Sequence, residues 1–339
     1  MGRRFLLLSL FLFAVIPVSM LKAQAAGTGN NAAAFPVTMV LEGADYASFK
    51  EGAARIVWRP DWPPRLPPDA FKVLSGEVSR VVVEGDGFSL NLSFGPTGLV
   101  EEFPFVLNGR LMEVSVVYGE FSQIKEMFLT FPSWDETDNS DEDPWRLEFL
   151  EYRDSLPYLV RGSRLDAWYF IYFFRTVNEI VESWYDVAGN LIGAFAFSVV
   201  EIGDERRIGA IRDYLDPDGG SEYYYDSRGF LTESSGPAGL YKVLYYREDF
   251  PRYWERRPSG GSGGLYGSEG KFSFQWNEAG FLLRLTGESE NAPLDHRYDY
   301  TVDERGNWIE RKETQIVSQT GLLFPSPGDT YNRVLEYRK

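Results

Sequence analysis

From Phe35 onward the chain is a succession of short runs in which apolar and polar residues alternate. Phe88-Ser89-Leu90-Asn91-Leu92-Ser93-Phe94 alternates strictly, the period of two that marks a half-buried strand. Gly95-Pro96-Thr97-Gly98 interrupts the pattern, and Leu99 to Leu107 resumes it. Asn108-Gly109 is a strong two-residue hairpin signal, and Leu111 to Tyr118 supplies the returning strand. Ala167 to Phe174 (AWYFIYFF) is apolar on every side, and its length and aromatic, β-branched content favour a buried strand. Helical periodicity is scarce, and Tyr46 to Ile56 is the one stretch read as a short helix. The pattern predicts an all-β protein, an antiparallel meander of serial β-hairpins forming an open curled sheet or two packed sheets.

Three stretches break the alternation. Trp58 to Pro68 carries Pro60, Pro63, Pro64, Pro67 and Pro68, which excludes regular structure. Asp135 to Asp143 packs six acids into nine residues, whose mutual repulsion keeps it solvated. Pro258 to Gly270 is rich in Gly and Ser. The acidic stretch divides the chain into an N-terminal β-meander unit (35–131), a linker loop (132–144) and a C-terminal hairpin unit (145–339), with 26–34 as a flexible lead-in.

The C-terminal unit repeats one local signature. It reads Tyr185-Asp186-Val187-Ala188-Gly189-Asn190-Leu191, Tyr225-Asp226-Ser227-Arg228-Gly229-Phe230-Leu231, Trp276-Asn277-Glu278-Ala279-Gly280-Phe281-Leu282 and Val302-Asp303-Glu304-Arg305-Gly306-Asn307-Trp308. Tyr214-Leu215-Asp216-Pro217-Asp218-Gly219 is a weaker copy. In Asp-x-x-Gly the Asx side chain accepts from backbone N–H groups further on and fixes a turn. The glycine then takes the positive φ that lets the chain return antiparallel. Asp186, Gly189, Asp226, Gly229, Asn277, Gly280, Asp303 and Gly306 are thereby assigned to hairpin tips. On these residues the chain resembles the YD-repeat (RHS-like) family over roughly 180–315. That resemblance implies curled sheets of hairpins and a cell-envelope or surface-interaction role. The glycine spacings of 40, 51 and 26 residues make it an irregular copy, and no toxin-enclosing activity is carried over.

Residues 1–25 read as a secretory signal: Arg3 and Arg4, an apolar run from Phe5 to Ile16, Pro17, then Ala23-Gln24-Ala25 as the small-x-small cleavage pattern. Export without lipidation follows, since the chain has no Cys. The same absence excludes disulfides, thiol catalysis and cysteine zinc sites. A formal charge of −16 disfavours nucleic acid and anionic membranes. Trp308 to Val317 argues against an outer-membrane barrel. One alternating set is Trp308, Glu310, Lys312, Thr314, Ile316; the other is Ile309, Arg311, Glu313, Gln315, Val317. Neither is apolar enough to face lipid, and the barrel is rejected.

Candidate chemistry is thin. His296, the one histidine, has no Gly-x-Ser-x-Gly partner and reads as a surface or strand residue. Glu179, Glu182 and Asp186 lie near aromatics, yet their spacing marks no acid–nucleophile pair, so they read as a solvated strand face and turn residues. Asp135 to Asp143 lacks the Gly and Glu that an EF-hand loop needs at its sixth and twelfth positions. Trp58, Trp62, Trp134 and Trp145, in or beside loops, are the candidate ligand-stacking residues. No catalytic residue, metal ligand or cofactor is assigned. The reading is an exported non-enzymatic structural or interaction protein of a bacterial cell envelope, periplasmic or extracellular. Its partner is a protein or a glycan, and it has no membrane span after signal cleavage. The alternative is a carbohydrate-binding or glycan-processing protein using loop aromatics and acids.

Overall fold

The computed structural model describes residues 34–46, 49–50, 53–54, 70, 77–85, 88–107, 110–130, 144–203, 205–216, 220–236, 239–247, 250–258, 269–289, 293–319 and 322–338. One helix, α1 (Val37–Tyr46), precedes two short paired strands, β1 (Phe49–Lys50) and β2 (Ala53–Ala54). The meander then runs through β3 (Val78–Gly85), β4 (Phe88–Phe94), β5 (Val100–Leu107), β6 (Arg110–Tyr118) and β7 (Ile124–Thr130). It continues with β8 (Trp145–Arg153), β9 (Leu156–Arg164), β10 (Ala167–Arg175), β11 (Glu179–Asp186), β12 (Leu191–Ile202) and β13 (Glu205–Asp213). After these come β14 (Ser221–Tyr225), β15 (Leu231–Gly236), β16 (Gly239–Arg247), β17 (Phe250–Pro258) and β18 (Gly270–Trp276). The last four are β19 (Leu282–Ser289), β20 (Pro293–Val302), β21 (Trp308–Gln319) and β22 (Leu322–Tyr337).

Each strand pairs antiparallel with its neighbour in sequence, as serial hairpins require. The sheet is neither open nor split into two packed layers, however: β22 pairs with β3, Asn332 opposite Glu84 through Tyr337 opposite Val78, and the twenty strands close into a barrel. Closure joins residues about 250 positions apart, a contact with no local sequence signal. Rejecting a barrel on the polarity of 308–317 joined two separate questions, closure and lipid contact. On β21 the inward residues are Trp308, Arg311 and Glu313, all buried, while Glu310 and Lys312 face outward. The wall is therefore closed, and on β21 its outer side carries Glu310 and Lys312.

The expected helix over 46–56 also differs. The helix ends at Tyr46, where that stretch begins. Val37, Val40, Leu41 and Ala44 recur at helical spacing, and Pro36 just before the helix has a fixed φ that suits its start.

Five hairpin tips share one geometry. The amide of Asp186 donates to Asn190 O (3.0 Å), that of Gly189 donates to Asp186 O (3.0 Å), and Gly189 has φ +84°. The same two bonds and a positive glycine φ recur at 226–230, 277–281 and 303–307. They recur again at Gly95–Leu99, where the first residue is Gly and no side chain accepts. At each tip the register slips by one residue between the last two pairs of the incoming strand. This is the bulge that a glycine in the left-handed region creates.

Candidate functional site

An apolar cluster lines the lumen among the described residues. Inward residues from successive strands, among them Leu90, Leu92, Phe103, Val114, Met127, Leu147, Ile171, Phe197, Phe272 and Leu285, form one apolar cluster that includes Val37, Met39, Val40 and Ala44 of α1. The helix lies inside the barrel. Its lead-in residue Phe35 packs edge-on against Trp145 and Trp184, each with centroids 5.2 Å away. Those two rings meet each other at 5.5 Å and 90°.

Trp145, one of the four candidate stacking residues, is thus 2% exposed, with Phe35, Tyr169 and Trp184 on its faces. Trp58, Trp62 and Trp134 lie outside the described residues, as do the Asn108-Gly109 turn, the acidic run 135–143 and 217–219.

Glu182, expected on a solvated face, is the most enclosed carboxylate described. It is 0% exposed and points into the lumen from β11. Oε1 accepts from Val37 N (2.9 Å) and Trp184 Nε1 (2.7 Å), and Oε2 accepts from Thr38 N (2.8 Å) and Thr38 Oγ1 (2.8 Å). A carboxylate set against the first amides of a helix meets both its orphan donors and the positive end of its dipole. Burial still pushes this carboxyl above its ordinary range, against the pull of the bonds from Trp184, Thr38 and Val37. Alternation put residue 182 on a strand; only the tertiary position of 37–38 reveals its role. A second carboxylate, Glu42 on α1, accepts from Ile208 N on β13 at 2.9 Å.

The inner faces of β16 to β22 carry a different chemistry. His296 is buried, not superficial, with Nδ1 2.7 Å from Glu313 Oε1, so the ring donates from Nδ1 to the carboxylate. Burial raises the Glu313 carboxyl, but the hydrogen bond and charge of His296, the bond from Gln315 and the charge of Arg311 outweigh it and hold the group low. The Arg311 guanidinium sits between the Tyr298 and Tyr331 rings at 4.5 and 4.4 Å, and Arg333 lies 4.1 Å from the Trp308 ring. Arg333 also donates to Trp308 O (2.8 Å) and Ala70 O (3.4 Å). These stacks keep buried cations in contact with electron-rich ring faces. Among the described residues no group of three His, Cys, Asp or Glu is disposed to hold a metal ion.

One mouth of the barrel carries a rim of tyrosines. Near the ends of even-numbered strands, Tyr118, Tyr225, Tyr245 and Tyr300 donate to Val100 O, Ile208 O, Leu231 O and Leu282 O on the preceding strand at 2.8–2.9 Å. Tyr152 does the same to Ile124 O, and burial pushes its hydroxyl up to about 12. Phe230 and Phe281, which follow the turn glycines, pack on Tyr245 and Tyr300. Of these five tyrosines only Tyr225 directly precedes an Asp-x-x-Gly, so the sequence signature reached one member of the rim and the bonding pattern needed coordinates.

The outer wall carries ion pairs: Arg80–Glu336, Arg146–Glu126, Arg161–Glu148, Lys242–Glu233, Arg284–Asp295 and Lys312–Glu310. Apolar side chains also stand exposed there, Val117, Leu244, Leu283, Leu323 and Val334 among them, and an aromatic group of them lies on β10. Its outward set is Trp168, Phe170, Tyr172 and Phe174, with Trp168 and Tyr172 each 40% and Phe174 53% exposed. Tyr158 and Tyr185 meet Tyr172 edge-on at 6.2 and 5.8 Å.

No family model matches the chain, and no curated protein matches it. Among solved structures it is similar to a porin-like protein from Bacteroides uniformis (10% identity, TM-score 0.31, 76% of this chain and 98% of that one). A second porin-like protein, from Bacteroides vulgatus, matches at 8% identity and TM-score 0.23, covering 77% of this chain and 98% of that one. The Tc holotoxin pore of Photorhabdus luminescens matches at 10% identity and TM-score 0.27, over 68% of this chain and 16% of that one. Scores this low carry no property from those proteins to this chain. The YD-repeat resemblance is corrected here: no family model supports it, and the wall closes as a twenty-strand barrel. What the turns share is bend chemistry open to any meander with Asx and Gly three residues apart.

Proposed function

We propose that this chain is an exported, non-enzymatic interaction or structural protein of the bacterial cell envelope, working as a water-facing barrel and not as a lipid-embedded pore. The observation that carries the reading is the direction of polarity through the wall. A membrane barrel needs an apolar outer band about 25 Å tall and a polar interior. Here Arg80, Arg146, Arg284, Lys312 and their acidic partners stand outside, while aromatic rings and α1 occupy the lumen. With α1 seated among the inward rings, contact with partners is assigned to the outer surface. Among the described residues no helix is long and apolar enough to cross a membrane. The test is fractionation of cells expressing the chain with its own leader. Recovery from the periplasm or medium without detergent, as a monodisperse species, is expected. Release from the membrane fraction only by detergent would overturn the reading.

A glycan-binding role is supported by one observation, the outward aromatic strip on β10, whose rings are half exposed beside tyrosine hydroxyls. Ring faces with wet polar edges suit sugar stacking. In a cell-wall polysaccharide pull-down, Trp168→Ala/Tyr172→Ala is expected to lose binding while Trp58→Ala/Trp62→Ala retains it. The opposite result would return the site to the loop tryptophans.

A further inference from the structure

The ladder around the barrel is uneven. Between β4 and β5 it consists of Ser93↔Glu102 and Phe94↔Val100, and between β13 and β14 of Ala210↔Glu222 and Ile211↔Ser221. Every other seam is held by four or more such pairs. Local chemistry accounts for part of this. Pro104 in β5 has no N–H to give a ladder. In β13 the register slips opposite Ser198/Val199, next to Gly209. The two thin seams divide the wall into an arc from β5 to β13 and an arc from β14 through β22 to β4.

The contacts of α1 and its lead-in follow the same division. Ala34 lies against Gly193 on β12, Phe35 against Trp145 on β8 and Trp184 on β11, and Gly43 against Phe103 and Phe105 on β5. Glu182 on β11 and Ile208 on β13 hold the two carboxylate contacts. All of these belong to the first arc. At the β13–β14 seam, two side-chain bonds converge on one residue: Glu42 accepts from Ile208 N, and Tyr225 on β14 donates to Ile208 O.

We propose that the two thin seams are the hinges at which this barrel opens, with α1 remaining seated in the β5–β13 arc and Tyr225, through its bond to Ile208 O, latching the β13–β14 hinge. Opening exposes the apolar lumen without unravelling either arc, because each arc keeps its full ladders. Sub-global opening along the least-bonded boundary is the general behaviour of folded proteins. The inference goes beyond the proposed function and stands whether the outer surface meets a protein or a glycan.

The experiment is hydrogen–deuterium exchange of the full chain, read by peptide mass spectrometry. Peptides covering 205–211, 221–225, 89–94 and 100–105 are expected to exchange at least tenfold faster than those covering 169–173 and 296–300, within the arcs. Tyr225→Phe is expected to speed exchange further at 205–211 and 221–225 and to leave 89–94 unchanged. Since the chain has no Cys, Ala210→Cys/Glu222→Cys and Ser93→Cys/Glu102→Cys place register partners that can be oxidised across each seam. Oxidation of both pairs should slow exchange at the seams and lower binding of the dye ANS; the reduced protein is the control for folding. Seam peptides as protected as mid-arc ones, or oxidised pairs without effect on exchange or dye binding, would overturn the hinges. A uniform response to Tyr225→Phe would overturn the latch.

Discussion

Gly189 and Gly193 sit four residues apart and do unlike work. Gly189 has φ +84° and nothing within 4 Å of an added Cβ, so only backbone strain opposes a side chain there. Gly193 faces the lumen, where a Cβ would lie 2.4 Å from that of Ala34. Gly189→Val should cost about 1–3 kcal/mol through strain at positive φ. Gly193→Ala, in contrast, should push Ala34 and Phe35 off Trp184, seen as a change in tryptophan fluorescence with the turn intact. Equal fluorescence changes in the two variants would contradict this division. The Asp-x-x-Gly pattern contains the chemistry of Gly189 in full; nothing near Gly193 announces Ala34, which is 159 positions away in sequence. Glu182 was hidden for the same reason. Its folded-state pKa lies above the ordinary 4.5. Between 4.5 and that value the folded protein keeps a proton that the unfolded chain has released, so stability falls as pH rises through the window. Urea unfolding across this pH range should show the wild type losing stability relative to Glu182→Gln as pH rises. Parallel curves would mean the carboxyl is not desolvated. Asp186 has the opposite sign. The bonds from the Asn190 side chain and backbone hold it below 3.8, so its contribution is present above 3.8 and lost as pH falls through the lower folded value.

Strands were the most legible elements, because alternation is imposed by the wall itself. Phe88–Phe94 is β4, and AWYFIYFF falls in β10. That second run is apolar on both faces for two different reasons: Tyr169, Ile171 and Phe173 line the lumen, while Trp168, Tyr172 and Phe174 stand outside. A run buried on both faces and a run exposed on one look alike in sequence. The helix was misplaced because its apolar stripe, Val37 to Ala44, is short and its lead-in reads as linker. It folds where it does because β11 supplies its N-terminal acceptor. The tyrosine rim is an element-scale device that can be tested at Tyr300. Tyr300→Phe keeps the stack on Phe281 (5.0 Å) but strands Leu282 O without its donor. It should cost about 1 kcal/mol in urea unfolding. Tyr300→Ala, which also leaves a cavity, should cost about 3 kcal/mol or more. Equal losses would assign the whole effect to the ring.

Closure is the property of the molecule that no window of sequence contains. Each hairpin is local, but the wall is complete only when β22 reaches β3, and the join draws on groups from distant places. Asn307 Nδ2 at one hairpin tip donates to the Tyr337 hydroxyl (2.7 Å), which in turn donates to Asp303. Arg338 N donates to Glu77 O (2.8 Å) and its guanidinium to Gly95 O (2.9 Å). So the last strand is tied to tips on both sides of it. An unclosed meander would present β3 and β22 as two long unpaired edges, which recruit other chains. Val334 is a direct probe, being opposite Val82 in the ladder, outward and half exposed. Val334→Thr leaves the ladder intact and should be nearly neutral. Val334→Pro lacks the N–H and cannot be accommodated in a mid-sheet position. It should convert a monodisperse species into aggregate on size exclusion and raise ANS fluorescence. A Val334→Pro protein that eluted as the wild type, with unchanged dye binding, would show that the β22–β3 join is dispensable, and closure would then not be what shields the apolar cluster.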